Sequence, residues 1–210
     1  MHQEALNNNT RALWEKCGFL DNCYLAGGTA LAFQVGHRQS FDLDFFFNAP
    51  IKKTLIQTVE EKFGTAVAPS VKTAGELTVL ISGVKVTFLY YPFPLLDKTV
   101  STDIVPLASV RDIASMKAYT LGRRQSLKDY ADLYVILSKN LVSLSMIIKD
   151  AKQIYGEAFN DRLFLEQLLY TDDLEKEPIN WLVKSISEEK MKEFFENLVR
   201  EEKGELWLSS

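Results

Sequence analysis

Two aspartates, Asp42 and Asp44, have the type and spacing that point most directly to chemistry. They lie two positions apart in residues 41–47, where alternating side chains predict a β-strand. Side chains at positions i and i+2 of a strand leave the same face, so the two carboxylates are expected side by side. Neighbouring ionised carboxylates repel each other unless a cation joins them, and a pair of hard oxygen ligands suits Mg²⁺.

A solvated strand face is the simpler interpretation of the same two aspartates. We expect the strand to be central and buried, because residues 45–47 are three consecutive phenylalanines. An acidic pair without a function would be costly to bury. The residues that follow the pair therefore favour a functional role for it.

Two glycines, Gly27 and Gly28, precede the aspartates in the sequence. They follow residues 23–26, a short apolar segment that predicts a buried strand, and they precede a helix predicted over residues 29–35. Glycines let the backbone approach a phosphate closely, and the free N–H groups of a helix N-terminus favour an anion. Two glycines before a helix are also ordinary turn chemistry. Together with the acidic pair, however, they predict a nucleotide site.

These residues must be positioned by a fold whose character changes near residue 105. Before that point, short apolar stretches alternate with Gly, Pro and Asn, and after it a helical periodicity dominates. We therefore predict an α+β head over residues 1–105 and an all-helical C-terminal domain over residues 106–210. In the head, helices are predicted at residues 3–17, 29–35 and 52–63, and strands at residues 23–26, 41–47, 67–71, 77–82 and 84–91. Later helices are predicted at about residues 110–121, 127–140, 144–155, 161–169 and 188–203.

The composition excludes a disordered, a collagenous or a coiled-coil chain. The chain has 210 residues, of which 47% are hydrophobic and 25% charged, as in ordinary globular proteins. Its formal net charge of -4 means that any contact with nucleic acid needs a local basic patch. Two cysteines, Cys17 and Cys23, are too few for a disulfide framework and predict a reducing compartment. No apolar run approaches the roughly 20 residues of a membrane span, so we predict a cytoplasmic protein.

Four blocks in this order resemble one family. They are Gly27-Gly-Thr-Ala-Leu31, Arg38-Gln-Ser-Phe-Asp-Leu-Asp-Phe-Phe46, Asp112-Ile-Ala-Ser-Met-Lys117 and Arg123-Arg-Gln-Ser-Leu-Lys-Asp-Tyr-Ala-Asp-Leu-Tyr134. The chain is similar, over about residues 20–140, to the AbiEii/AbiGii-type abortive-infection toxins. These are nucleotidyltransferases of the DNA-polymerase-β-like superfamily. The resemblance implies a nucleotidyltransferase-fold head, with a mixed β-sheet flanked by helices, followed by a helical domain.

The same resemblance implies an activity and partners. The activity would be transfer of a nucleotidyl group from an NTP to a hydroxyl, with Mg²⁺, or Mn²⁺ in its place, as cofactor. The acceptor would be the 3′ end of an RNA such as tRNA, or a protein side chain. Members of the family often inhibit growth and are neutralised by an antitoxin protein, which implies such a partner here.

The resemblance further implies roles for single residues. Residues implied to bind the nucleotide are Gly27, Gly28, Thr29, Arg38 and Lys117. Residues implied to be catalytic are Asp42 and Asp44, which would bind the metal, together with Lys117, Asp129 and Asp132. Arg38 could hold a phosphate or brace Asp42, and the preceding His37 is expected to be a surface turn residue.

One departure from the superfamily concerns a third carboxylate, which the superfamily places on a later strand. The matching segment, residues 84–91, contains no acid, and Glu76 lies just outside the preceding strand as a poor substitute. Either Asp129 or Asp132 acts as the base, or one metal suffices, or catalysis is weak. The alternative function is a module of the same fold that binds a nucleotide or a protein partner without turnover.

The C-terminal candidates also have structural interpretations. Asp129 would be a capping residue if Ser126 caps its helix. Asp132 could pair with Arg123 or Arg124. Lys117 could snorkel, or pair with a carboxylate instead of a phosphate. Residues 111–139 contain six basic and three acidic residues, an excess that could steer a triphosphate or an RNA end.

Overall fold

The chain divides into two compact units, Met1–Ser109 and Val110–Ser210. The structure, a computed structural model, describes residues 1–64, 66–121, 123–124, 126–171, 174 and 177–208, of which residues 203–208 are described by their backbone alone. No helix in these ranges is long and apolar enough to span a membrane.

The described part of the first unit is built on a five-stranded sheet with strand order β1-β2-β5-β4-β3. The strands are β1 (Cys23–Ala26), β2 (Leu43–Phe47), β3 (Pro69–Lys72), β4 (Glu76–Ile81) and β5 (Val84–Tyr90). Strands β2 and β5 are parallel and the other neighbours are antiparallel, so the sheet is mixed. The helices of this unit are α1 (Asn8–Trp14), α2 (Gly27–Val35) and α3 (Leu55–Phe63).

One face of the sheet forms the core of the first unit. Leu43 and Phe45 of β2 are fully buried, as the alternation in the sequence predicts. The ring of Phe45 stacks on that of Trp14 from α1, with 6.4 Å between centroids, and Trp14 meets Phe33 of α2 edge to face. Rings of this size dominate the apolar area buried in a core, so α1 and α2 are held against this face.

Three predicted helices of the first unit begin elsewhere than expected, and one of them, α3, begins at Leu55 instead of residue 52. A single helix over residues 3–17 was the wrong prediction, because Asn7 caps α1 by accepting a hydrogen bond from the N–H of Thr10, and so separates it from a short 3-10 helix at Gln3–Ala5. Helix α2 begins at Gly27, two residues before the predicted start. The glycines therefore belong to the first turn of the helix.

The second unit is helical, as predicted. Its helices are α4 (Val110–Thr120), α5 (Leu127–Ser138), α6 (Leu144–Tyr155), α7 (Asp161–Leu169) and α8 (Glu188–Leu208). Arg111 of α4 reaches the fully buried Asp150 of α6 through two hydrogen bonds of 2.6 and 2.8 Å. The hydroxyl oxygen of Tyr130 on α5 lies 2.6 and 2.8 Å from the carbonyl oxygens of Gln167 and Tyr170 at the end of α7, and its one hydrogen is shared between them. Buried polar contacts of this kind fix how the helices of the unit pack.

Candidate functional site

Gly27 and Asp44 are in close contact in the first unit. Strands β1 and β2 pair with Ala26 opposite Asp44, so the first residue of α2 follows directly beside that carboxylate. Gly27 has a φ of +68°, and a Cβ added to it would lie 2.8 Å from Asp44 Oδ2. A side chain at Gly27 is therefore disfavoured twice, by the backbone conformation and by the carboxylate, which would have to move.

The N-terminus of α2 lies at the same place. Ala26 precedes the helix, and its side chain makes no capping hydrogen bond. The first N–H groups of a helix have no partner within the helix, and they carry a partial positive charge. Gly27 and Gly28 are both partly exposed, so the first turn can be approached from solvent. This arrangement suits a phosphate group.

Asp44 lies on the opposite face of β2 from Leu43 and Phe45, and Asp42 is the residue directly before β2, which begins two residues later than predicted. The Asp42 side chain is 47% exposed, and Asp44 is half-buried. The expectation of a buried acidic pair was therefore wrong, although β2 does have a neighbouring strand on each side. The phenylalanines bury one face only, and the burial argument for function does not apply to the other. What distinguishes the pair is its position beside the start of α2.

A buried hydrogen bond connects α2 to the residue before β2. Thr29 is buried, and its hydroxyl donates to the backbone carbonyl of Asp42. The same Oγ1 lies 2.7 Å from the hydroxyl oxygen of Ser40, which is also buried. The Thr29 side chain therefore points into the protein and orients Asp42. The sequence does not single out Ser40, since a serine two residues before an aspartate pair has no distinguishing pattern.

Strand β5 places no carboxylate beside the pair. Thr87 lies directly opposite Asp44 in the parallel register. The ammonium of Lys85 is 3.9 Å from Asp42 Oδ2, and both side chains are about half exposed. An exposed pair at this distance contributes little to stability.

Glu76 lies one strand further away, on β4. Thr78 donates to Glu76 Oε1 at 2.8 Å, and its hydroxyl is 3.3 Å from that of Thr87. Within the described residues, no three Asp, Glu, His or Cys side chains come together as a metal site. A metal ion here would therefore take two protein carboxylates and complete its coordination with other ligands.

His37 and Arg38 follow α2 and are both buried. The expectation of a surface turn at His37 was wrong, because the chain turns at Gly36, which has a φ of +67°, and the next two side chains enter the protein. Nη1 of Arg38 donates to the carbonyl of Gln39 at 3.0 Å. The Arg38 guanidinium is thus bound to the backbone of the segment that leads to Asp42.

In the second unit, Lys117, Asp129 and Asp132 are brought together. The Lys117 ammonium is 2.5 Å from Asp129 Oδ1 and 2.6 Å from Asp132 Oδ2. The three side chains are 4%, 1% and 0% exposed. Arg124, whose side chain is 59% exposed, adds two hydrogen bonds of 2.6 and 2.8 Å to Asp129. We call these four residues the lysine cluster.

The charges of the cluster set the ionisation of Asp129. Burial by itself raises the pKa of this carboxyl. The positive charges of Lys117 and Arg124, and the hydrogen bonds that they donate, outweigh burial and hold the pKa below its usual value. Asp129 is therefore a carboxylate whose charge is stabilised by its partners.

The structure decides between interpretations that the sequence left open in this unit. Ser126 precedes α5 but makes no capping hydrogen bond, so capping does not explain Asp129. Lys117 is paired rather than snorkelling.

The basic excess of residues 111–139 is smaller than the sequence count suggests. Four of its cations pair with carboxylates. These are Arg111 with Asp150, Lys117 with Asp129 and Asp132, Arg124 with Asp129, and Lys128 with Glu177. Paired cations attract a polyanion less than the number of basic residues implies.

Comparison with known proteins gives a consistent result. The family model described as "Nucleotidyl transferase AbiEii toxin, Type IV TA system" matches residues 11–208. An uncharacterized protein of Aquifex aeolicus (strain VF5) is 31% identical over 190 residues, which cover 86% of this chain and 91% of that protein.

Solved structures share the fold. MenT4, a nucleotidyltransferase toxin from Mycobacterium tuberculosis H37Rv, superposes with a TM-score of 0.62 at 15% identity, over 90% of this chain and 80% of that one. JHP933 from Helicobacter pylori superposes with a TM-score of 0.54 at 16% identity, over 99% and 95% of the two chains. These similarities confirm the predicted fold class.

Proposed function

The chain belongs to the AbiEii family of nucleotidyl transferase toxins, and we propose that it transfers a nucleotidyl group from an NTP to a hydroxyl acceptor. The observation that carries this proposal is the contact between Gly27 and Asp44. It places a carboxylate directly beside the N-terminus of a helix whose N-cap residue, Ala26, has no capping side chain. Such a site can bind a phosphate and a cation next to each other.

The donor set fits Mg²⁺ or Mn²⁺. Asp44 leaves the exposed face of β2, Asp42 directly precedes the strand, and both are partly exposed. Mg²⁺ in proteins is commonly held by one or two carboxylates, with substrate phosphates and water as further ligands. When bound, the metal would neutralise charge on the phosphate oxygens of the nucleotide.

In this proposal the residues of the first unit bind and orient the nucleotide. The backbone N–H groups of Gly27 and Gly28 donate to phosphate oxygens. Thr29 acts through Asp42, whose carbonyl it holds, and its own N–H belongs to the same helical turn. Arg38 braces the segment that leads to Asp42 from its buried position.

The second unit contributes the lysine cluster. Lys117 has three N–H donors, two of which are used by Asp129 and Asp132, and we assign the third to a substrate phosphate. The lowered pKa of Asp129 makes it a weak proton acceptor, so its role is to position Lys117. Asp132 is then the candidate base for the attacking hydroxyl.

The partners and the location belong to the same proposal. The acceptor is the 3′ end of an RNA such as tRNA, or a protein hydroxyl. An antitoxin protein neutralises the activity, in keeping with the family description. The protein acts in the cytoplasm, where its two free cysteines stay reduced.

A transfer assay tests the proposal. Each of four α-³²P-labelled NTPs is incubated with Mg²⁺ and with RNA or protein fractions, and incorporated label is measured. We expect label in one fraction, and a fall of about 100-fold or more for Asp44→Asn, because the site loses a charged ligand. Glu61→Gln, which removes an exposed charge from α3, should leave the activity unchanged. Incorporation that is equal in Asp44→Asn and the wild type would contradict the proposal.

A binding module without turnover is the second candidate. It is favoured by the residues of β5, which bring Thr87 and Lys85 rather than a carboxylate to the acidic pair. Isothermal titration with NTP and Mg²⁺ separates the two candidates. Binding without incorporation in any fraction identifies the module.

A further inference from the structure

A pocket within the second unit lies outside the residues assigned so far. Its volume is about 270 Å³, and it is formed by the end of α4, the segment after α6 and helix α7. The residues of its lining that could contact a ligand through a ring or a polar group are Tyr119, Arg123, Phe159, Asn160, Phe164 and Gln167. The volume is close to the lower limit of small-molecule sites and suits one nucleobase better than a large cofactor.

A flat stack forms one wall of the pocket. The guanidinium carbon of Arg123 is 4.2 Å from the centre of the Tyr119 ring. Tyr119 in turn stacks on Tyr155, with 4.0 Å between centroids and 13° between planes. Arg123 is also held by hydrogen bonds to the carbonyls of Tyr119 and Ala158, at 2.8 and 3.1 Å. Arg123 and Tyr155 cover the two faces of Tyr119, so the surface of this stack on which an unstacked base would stack is the guanidinium plane of Arg123.

The surroundings of the Arg123 guanidinium differ from those of the neighbouring cations. Arg111, Arg124 and Lys128 each pair with a carboxylate. In the part of the chain that the structure describes, Arg123 has no carboxylate within ion-pairing distance, and its hydrogen bonds go to neutral carbonyls. The described residues of the pocket lining include no acidic side chain either. Among the described residues, the pocket therefore presents one positive charge without a carboxylate beside it.

Two amide side chains supply hydrogen-bonding groups. Asn160 Oδ1 accepts from the N–H of Leu163. This bond fixes the side chain and does not use its two amide hydrogens. Gln167 is half-buried, and its backbone is held by the hydroxyl of Tyr130. An amide has both donors and acceptors, as the edges of nucleobases require.

We propose that this pocket binds an unstacked nucleobase of single-stranded RNA, with Arg123 at the adjoining phosphodiester. The inference rests on the proposed function and names RNA as the class of acceptor. RNA fits better than the substrate NTP, because a phosphodiester has one negative charge and a triphosphate has several, whereas the pocket has one cation. Tyr119 lies two residues after Lys117, so the pocket and the lysine cluster share helix α4.

Anisotropy of a fluorescein-labelled RNA pentamer, with EDTA and without NTP, tests the proposal on the full chain. Ala158→Trp fills the pocket from an exposed position, and Arg123→Gln removes its charge. We expect each to weaken binding about 5- to 20-fold, and Arg123→Gln to lower the salt slope by roughly 0.7. Arg162→Gln is the matched control, because it removes an 87% exposed arginine of the same unit outside the pocket, and it should change binding less than about twofold.

The outcomes separate this inference from the transfer activity. Asp44→Asn should bind the pentamer as the wild type does, since the assay contains neither NTP nor metal. The wild type should bind an abasic pentamer about as weakly as Ala158→Trp binds the normal pentamer. No RNA binding by the wild type, unchanged binding by a folded Ala158→Trp, or equally tight binding of abasic RNA would each overturn the proposal. Loss of NTP binding instead of RNA binding in Ala158→Trp would assign the pocket to the substrate and overturn it as well.

Discussion

At the scale of single residues, the site depends on Gly27, which as a glycine has no side chain. Its positive φ alone would make another residue unfavourable by about 1 kcal/mol. The carboxylate of Asp44, which would lie 2.8 Å from a Cβ, adds a second and separate restriction. The two effects can be separated, since Gly64 has a similar φ of +65° and nothing within 4 Å of its Cβ position.

Gly27→Ala and Gly64→Ala therefore form a matched pair. Gly64→Ala should lower the free energy of unfolding by about 1 kcal/mol, because it places alanine in the left-handed region, and Gly27→Ala should lower it by at least as much. Only Gly27→Ala should displace Asp44, and we expect it to lower nucleotidyl transfer more than about 10-fold. Urea unfolding and the transfer assay measure the two effects. Equal activities in two folded variants would show that the contact with Asp44 does not matter.

At the scale of elements, the lysine cluster connects α4 to α5 through buried charges. Removing one partner of a buried ion pair costs about 3–5 kcal/mol, mainly because the other charge is left buried without compensation. Loss of activity in a variant of Lys117, Asp129 or Asp132 therefore needs a stability measurement beside it. The cluster also makes the stability depend on pH.

The sign of that dependence follows from Asp129. Its pKa is lowered in the folded state, although burial raises it, because Lys117 and Arg124 stabilise the charge. Below about pH 4 the unfolded chain binds a proton that the folded chain does not, so the stability contributed by Asp129 is lost as pH falls further. Above about pH 5 this contribution is complete.

Urea unfolding followed by helical circular dichroism, from about pH 2.5 to 6, measures this contribution. Asp129→Asn should be less stable than the wild type at the upper end, and the difference should shrink as pH falls. Asp161→Asn is the control, because the pKa of Asp161 is also lowered, chiefly by its hydrogen bond with Lys152, but the pair is about half exposed. A pH slope in Asp129→Asn that equals that of the wild type would contradict the assignment.

At the scale of the whole molecule, each of the two compact units has its own core. The core of the first unit contains both cysteines, Cys17 and Cys23, as buried free thiols. Burial, and to a smaller extent the charge of a neighbour, raises the pKa of each thiol to about 12. The thiolate is the reactive form, so both cysteines should be inert in the folded protein.

Labelling with a thiol reagent at about pH 8 should report the unfolding of the first unit. In native buffer we expect rates at least about a thousandfold below those of a free cysteine, from the raised pKa and from exclusion of the reagent. In denaturing urea both cysteines should react at once. Fast labelling of either cysteine in native buffer would show that the first unit opens easily.

Local patterns in the sequence were sufficient for the faces and the order of the elements. Alternation placed Asp44 on the opposite face from Leu43 and Phe45, and periodicity predicted α6 and α7 with the bounds observed. These patterns are local because a side chain's direction along one strand or helix is set by the backbone period alone.

Contacts between elements were decided only by the tertiary structure. The approach of Asp44 to Gly27 depends on the register of β1 against β2, and the pairing of Lys117 with Asp129 on how α4 packs against α5. The same packing makes the pocket beside Arg123 and buries His37, and none of these follows from spacing. Register and packing depend on surfaces that residues distant in sequence form together. The periodicity along one strand or helix therefore cannot specify them.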